Sequence, residues 1–70
     1  MKEYVKNNVS ELRKEKGITQ EEFAQSLGVS RQTVVAIEKG NYVPSLLLGI
    51  KIAQFFAKQV EEVFTYQYEK

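Results

Sequence analysis

The run Gly17-Ile18-Thr19-Gln20-Glu21-Glu22-Phe23-Ala24-Gln25-Ser26-Leu27-Gly28-Val29-Ser30-Arg31-Gln32-Thr33-Val34-Val35-Ala36-Ile37-Glu38-Lys39-Gly40 decides how the chain folds. Two helices are readable in it from their start and stop signals. Thr19 and Glu22 form an S/T-x-x-E box, in which hydroxyl and carboxylate each satisfy an amide of the first turn. Glu21 and Glu22 also lie where the positive end of the helix dipole favours acids. Phe23, Ala24 and Leu27 recur at the spacing of an inward helical stripe, and Gly28 closes the element. Ser30 opens the next helix, its hydroxyl placed to accept from the amide of Gln32 or Thr33. Val34 and Ile37 are its inward pair, and Gly40 ends it. Because Thr33, Val34, Val35 and Ile37 are indifferent helix formers, a strand over Thr33–Ile37 is the local rival. The capping serine and terminal glycine decide for a helix that tertiary packing must hold.

Upstream, Asn8 with Glu11 has the form of another capping box, and Val9 and Leu12 supply a short apolar stripe. Lys14 and Lys16 suit the negative end of that helix, and Gly17 stops it. Downstream, Asn41-Tyr42-Val43-Pro44 is a loop, and Ser45 caps a fourth helix running to about Phe56. Its Leu48, Ile52 and Phe55 or Phe56 form one stripe, while Leu47 and Ile50 widen the apolar arc enough for a second packing surface. A short fifth helix spans Val60–Val63, with Val63 read as a core residue. Phe64-Thr65-Tyr66-Gln67-Tyr68 then alternates ring and polar residue, the periodicity of a strand. A lone strand leaves its hydrogen bonds unmade, so Lys2–Lys6 is its expected partner. The expectation is an all-α domain of five helices with a small two-stranded antiparallel sheet built from the chain termini, the 70 residues forming one domain.

Composition narrows the function. The formal charge is +1, with 43% hydrophobic and 27% charged residues, which is ordinary for a folded domain. Cys and His are both absent, which removes a disulfide, a thiol nucleophile, an imidazole base and a Cys/His zinc site. No metal and no cofactor is expected. Nine acidic residues and four Tyr are present, but no pair is placed as an acid and base in a pocket, and an enzyme is not expected. The apolar run Leu46–Ile50 is far short of the roughly 20 residues of a membrane span, and no signal peptide is visible, so a cytoplasmic protein without a membrane partner is expected. Near-neutral charge does not argue for nucleic acid by itself, so the case rests on where the charges sit.

Leu12-Arg13, then Gly17-Ile18-Thr19-Gln20-Glu21-Glu22-Phe23-Ala24, Leu27-Gly28-Val29-Ser30-Arg31-Gln32-Thr33-Val34, and Ile37-Glu38 with Gly40 form an ordered set. It resembles the helix-turn-helix signature of phage-repressor-like (Cro/XRE) transcriptional regulators. Tyr42, Pro44-Ser45-Leu46, Leu48, Ile52-Ala53 and Phe56 extend the likeness to the small, single-domain branch of that family. The resemblance implies that the second helix of the pair enters the major groove and reads base edges from its leading end. Arg31 suits guanine O6 and N7, and Gln32 suits adenine N6 and N7; Thr33 offers a hydroxyl or methyl, and Ala36 a surface for a thymine methyl. The bland alternative for Arg31 and Gln32 is a solvated helix start. Gln20 matches the first residue of the positioning helix and is expected on a phosphate. Lys39, Asn41 and Tyr42 fall where the family makes further backbone contacts. Arg13 and Glu38 are implied to form a semi-buried ion pair, with Arg13 also a candidate phosphate contact. The chain departs from the pattern at Gly49, where Ala is usual and where the glycine suggests a close helix approach. It departs again at Ala57, Lys58 and Gln59, where the family has Asn or Gly, Val, and a Ser or Thr cap.

The expected partners are double-stranded DNA carrying a palindromic operator and a second copy of the chain, with no small-molecule effector. Leu47, Ile50, Phe64 and Tyr66 are the candidate homodimer surface, although Leu47 has an alternative place under the Asn41–Pro44 loop. The expected outcome is regulation of transcription, by repression. The rival reading is a protein-interaction module of antitoxin-like or phage regulatory type, against which counts the lack of a separate toxin-binding extension.

Overall fold

The computed structural model describes residues 2–70. Element order is β1 (Lys2–Asn7), α1 (Val9–Glu15), α2 (Gln20–Leu27), α3 (Arg31–Lys39), α4 (Leu46–Phe55), α5 (Val60–Val63) and β2 (Phe64–Glu69). The five helices and the terminal sheet form as their sequence signals suggest. β1 and β2 pair antiparallel, from Lys2 opposite Glu69 to Asn7 opposite Phe64. The ribbon joins the helical body where the amide of Asn8 donates to the carbonyl of Val63, at 3.2 Å.

Three helix starts carry the caps their serines and threonine announce. Thr19 and Glu22 complete a reciprocal box, Ser30 accepts from the amide of Thr33, and Ser45 from that of Leu48. The box at Asn8 does not form. Asn7 takes over the cap, its Oδ1 accepting from the amide of Val9 at 3.0 Å, while its Nδ2 donates to the carbonyl of Ile37. The Asn8 side chain is drawn instead to the carbonyl of Glu62. Anchoring the chain ends to one another therefore overrides the local cap, and β1 runs on to the residue that does the capping.

Phe23, Ala24, Leu27, Val34, Ile37, Leu48, Ile52 and Val63, read from the sequence as core, are all buried, together with Val9, Leu12, Ala53 and Phe56. Phe23, Phe55 and Phe56 meet at centroid separations of 5.1 to 5.2 Å and lock α2 against the end of α4. Burying one side chain of this kind contributes about 1.5–3 kcal/mol, enough for a few to decide the stability of so small a domain. Half-buried Phe55 carries the ammonium of Lys16 5.2 Å above its ring.

The departures from the family pattern have local consequences. A Cβ on Gly49 would meet only Phe64 Cε2, at 3.9 Å, an ordinary contact. The glycine is therefore not required by any close helix approach. At the α4–α5 corner Ala57 is left-handed, with φ 55°, where the family's Asn or Gly would sit with less strain. Gln59 has no hydroxyl like that of the usual Ser or Thr, but its backbone N–H donates to the carboxylate of Glu62 at 2.8 Å and α5 starts there.

Candidate nucleic-acid interface

α2 and α3 are joined by Gly28, Val29 and Ser30. Gly28 has φ 77°, and the amides of Gly28 and Val29 return to the carbonyls of Gln25 and Ala24. Only a residue without Cβ takes this turn freely, and the reversal it makes sets α3 across the end of α2. Lys51 of α4 donates to the carbonyl of Leu27 at 2.6 Å. It places a cation at the negative end of α2 and ties the turn to the body. The sequence offered no sign of this contact beyond a lone charged residue in a mostly apolar helix.

α3 buries Val34 and Ile37 and turns its other side outward. Arg31 and Gln32 are exposed on its leading turn, with Thr33 and Ala36 half-buried beside them. Ser30, Gln32, Thr33, Ala36 and Tyr42 line a shallow groove of about 290 Å³. Tyr42, 45% exposed, thus shares a surface with α3 although it belongs to the following loop. Lys39 and Asn41 are exposed at the far end of α3, where the amide of Asn41 donates to the carbonyl of Ala36 and closes the helix.

Under this surface lies a chain of polar contacts. Arg13 Nε donates to Glu38 Oε2 at 2.7 Å and Nη2 to Oε1 at 3.3 Å, while Nη1 donates to the carbonyl of Ile18. The two side chains are 10% and 7% exposed. The bond from Glu38 raises the Arg13 pKa above its ordinary value, assisted by the charge of the carboxylate and opposed by burial. Arg13 is therefore a tie between α1, the α1–α2 corner and α3, with every guanidinium nitrogen engaged. Gln20 Nε2 donates to Glu38 Oε1 at 3.1 Å, and Gln20 Oε1 accepts from Arg31 Nη2 at 3.2 Å. Gln20, expected on a phosphate, thus turns its side chain toward the protein.

The family model described as Helix-turn-helix matches residues 9–63, which include all of this surface. The chain belongs to the helix-turn-helix family of phage-repressor-like, XRE-type transcriptional regulators. It is 55% identical over 60 residues to the uncharacterized HTH-type transcriptional regulator YgzD of Bacillus subtilis, covering 86% of this chain and 91% of that protein. An uncharacterized HTH-type transcriptional regulator of Methanocaldococcus jannaschii is 51% identical over 63 residues, covering 90% of this chain and 96% of its own length. A transcriptional repressor, RstR of a cryptic phage of Vibrio cholerae, is 35% identical over 81% of this chain and 51% of that repressor. Regulation through DNA binding is the activity of this family, whose members are regulators and not enzymes.

In this helix-turn-helix domain the candidate dimer residues occupy unlike environments. Leu47 is 71% exposed, so it is not tucked under the loop; Ile50 and Tyr66 are exposed as well. Phe64 is half-buried against the core. Leu46, 76% exposed and absent from the surface expected from the sequence, lines an apolar groove of about 140 Å³ together with Val43, Pro44, Val60 and Phe64. Tyr66 donates its hydroxyl to Glu3 at 2.8 Å, a bond that raises the tyrosine pKa. Among the described residues no group of acidic side chains is gathered as a metal site, and no helix is long and apolar enough to cross a membrane.

Proposed function

We propose that two copies of this chain, each acting as one DNA-binding domain, bind a palindromic operator and repress transcription from it. The observation that carries the reading is the two-sidedness of α3: Val34 and Ile37 are in the core, while Arg31 and Gln32 stand exposed on the leading turn beside Tyr42. A helix so placed reads base edges from its N-terminal end. Arg31 takes a guanine and Gln32 an adenine, each bidentate, with Thr33 and Ala36 packing against the neighbouring pair. The start of α2 at Gln20 and the exposed Lys39, Asn41 and Tyr42 set the register on the phosphates, contacts that position without specifying sequence.

One reading helix covers too few base pairs for an operator. A two-fold dimer meets half-sites about 34–36 Å apart, one turn of DNA. Leu46, Leu47 and Ile50 of α4, with Tyr66 at the flank, supply an apolar face that a second copy buries, and association stabilises a small domain by mass action. Repression follows from occupancy of a promoter by such a dimer, the activity named for the phage relative.

The test compares wild type with Gln32→Ala and Lys39→Ala on a duplex enriched from a random library and on its scrambled counterpart, by fluorescence anisotropy at fixed salt. Gln32→Ala is expected to lose about 1–3 kcal/mol on the enriched duplex and nothing on the scrambled one. Lys39→Ala is expected to weaken both alike. Equal losses on both duplexes for Gln32→Ala would refute the assignment.

A further inference from the structure

Arg31 and Glu38 lie seven residues apart on α3, close to two full turns, so they share one face of the helix. The rise between them is roughly 10 Å, and the α2 residue Gln20 spans the interval. Its position imposes a polarity. A carboxylate accepts only and a guanidinium donates only, whereas an amide side chain does one at each end. With Nε2 on Glu38 and Oε1 on Arg31, the amide has the orientation that satisfies both neighbours. The flipped amide would set carbonyl against carboxylate and amine against guanidinium. Glu38 cannot turn away, because Arg13 holds both of its oxygens in a nearly buried pair.

We propose that Glu38 is a positioning residue for base readout: through Gln20 it holds the guanidinium of Arg31 on the leading turn of α3. The charge buried between α1 and α3 fixes the amide, the amide presents its oxygen outward, and that oxygen holds one N–H of a long and otherwise free side chain. The other N–H groups of Arg31 stay available for a bidentate contact with guanine. Arg31 then meets DNA with part of its rotamer freedom already lost, so less is lost on binding and a misplaced base is tolerated less. The inference rests on the reading of Arg31 as a base contact, and the experiment separates the two.

Glu38→Gln keeps the shape and removes the charge, so either amide end can face Gln20. Gln20→Met cuts the relay and leaves the Arg13–Glu38 pair intact. Arg31→Ala marks the base position that Arg31 reads. All are titrated against the enriched duplex and its single-base variants. Arg31→Ala should lose discrimination of roughly 5- to 150-fold at one position of each half-site. Glu38→Gln and Gln20→Met should each lose at least threefold at that same position. Discrimination at the Gln32 position should stay at the wild-type value. A purely structural role for Glu38 or Gln20 would lower binding to every duplex by one factor. That result overturns the proposal, as does unchanged discrimination in Gln20→Met, which serves even where Glu38→Gln does not fold. Should Arg31→Ala lose no discrimination anywhere, the base contact itself is refuted and the relay with it.

Discussion

Removing either member of the Arg13–Glu38 pair should destabilise the domain far more than breaking a surface ion pair, and removing both should cost much less than the sum. A domain of 70 residues has about 3.5–10 kcal/mol of stability in all, at roughly 0.05–0.15 kcal/mol per residue. Stranding one charge of a buried pair costs about 3–5 kcal/mol. Arg13→Met belongs near the lower end, about 3 kcal/mol, because Gln20 still donates to the abandoned carboxylate. Glu38→Leu belongs nearer the upper end, about 5 kcal/mol, since it leaves the guanidinium only the carbonyl of Ile18. The double variant replaces the pair by apolar groups of similar volume, an exchange that is often neutral, so a coupling of about 2 kcal/mol or more is expected. Urea unfolding of the four proteins at one protein concentration, followed by circular dichroism, measures it. Additive losses under about 1 kcal/mol each, the behaviour of an exposed pair, would refute the reasoning.

Three further substitutions have definite expected outcomes. At Ala57, replacement by Gly should relieve about 1–2 kcal/mol of left-handed strain and return about 0.4–1 kcal/mol to the unfolded chain, a net gain near 0.5–1 kcal/mol in urea melts; Gly49→Ala should add about 0.8–1 kcal/mol, since its Cβ meets an ordinary contact. Leu47→Glu should leave the core intact while lowering the mass measured by sedimentation equilibrium to that of one chain and weakening operator binding; a wild-type protein that is monomeric and folded at micromolar concentration would remove the basis for the interface.

The helices were legible because their boundaries are set locally. Thr19, Ser30 and Ser45 announce starts that depend on the first turn alone, and the stripes of α2 and α3 name their own buried faces. The sheet was legible by need, since the alternation of β2 left hydrogen bonds that only the other terminus could meet. What escaped depends on distances between elements. Asn7 replaces Asn8 as a cap because Asn8 is drawn to α5, a contact between residues 54 apart in the chain. The inward turn of Gln20 follows from Glu38 lying within 3.1 Å, which the approach of α2 to α3 sets. Lys51 reaches Leu27 for the same kind of reason. Spacing along one helix cannot encode either meeting.

Selection of bound duplexes from a random library by the wild-type chain, read by sequencing, shows whether it binds an operator as a two-fold dimer. The expected result is enrichment of an inverted repeat whose half-site centres lie about 10–10.5 base pairs apart, each half with one guanine and one adenine at fixed positions. Recovery of a population indistinguishable from the starting library, or of an unpaired half-site alone, would contradict it.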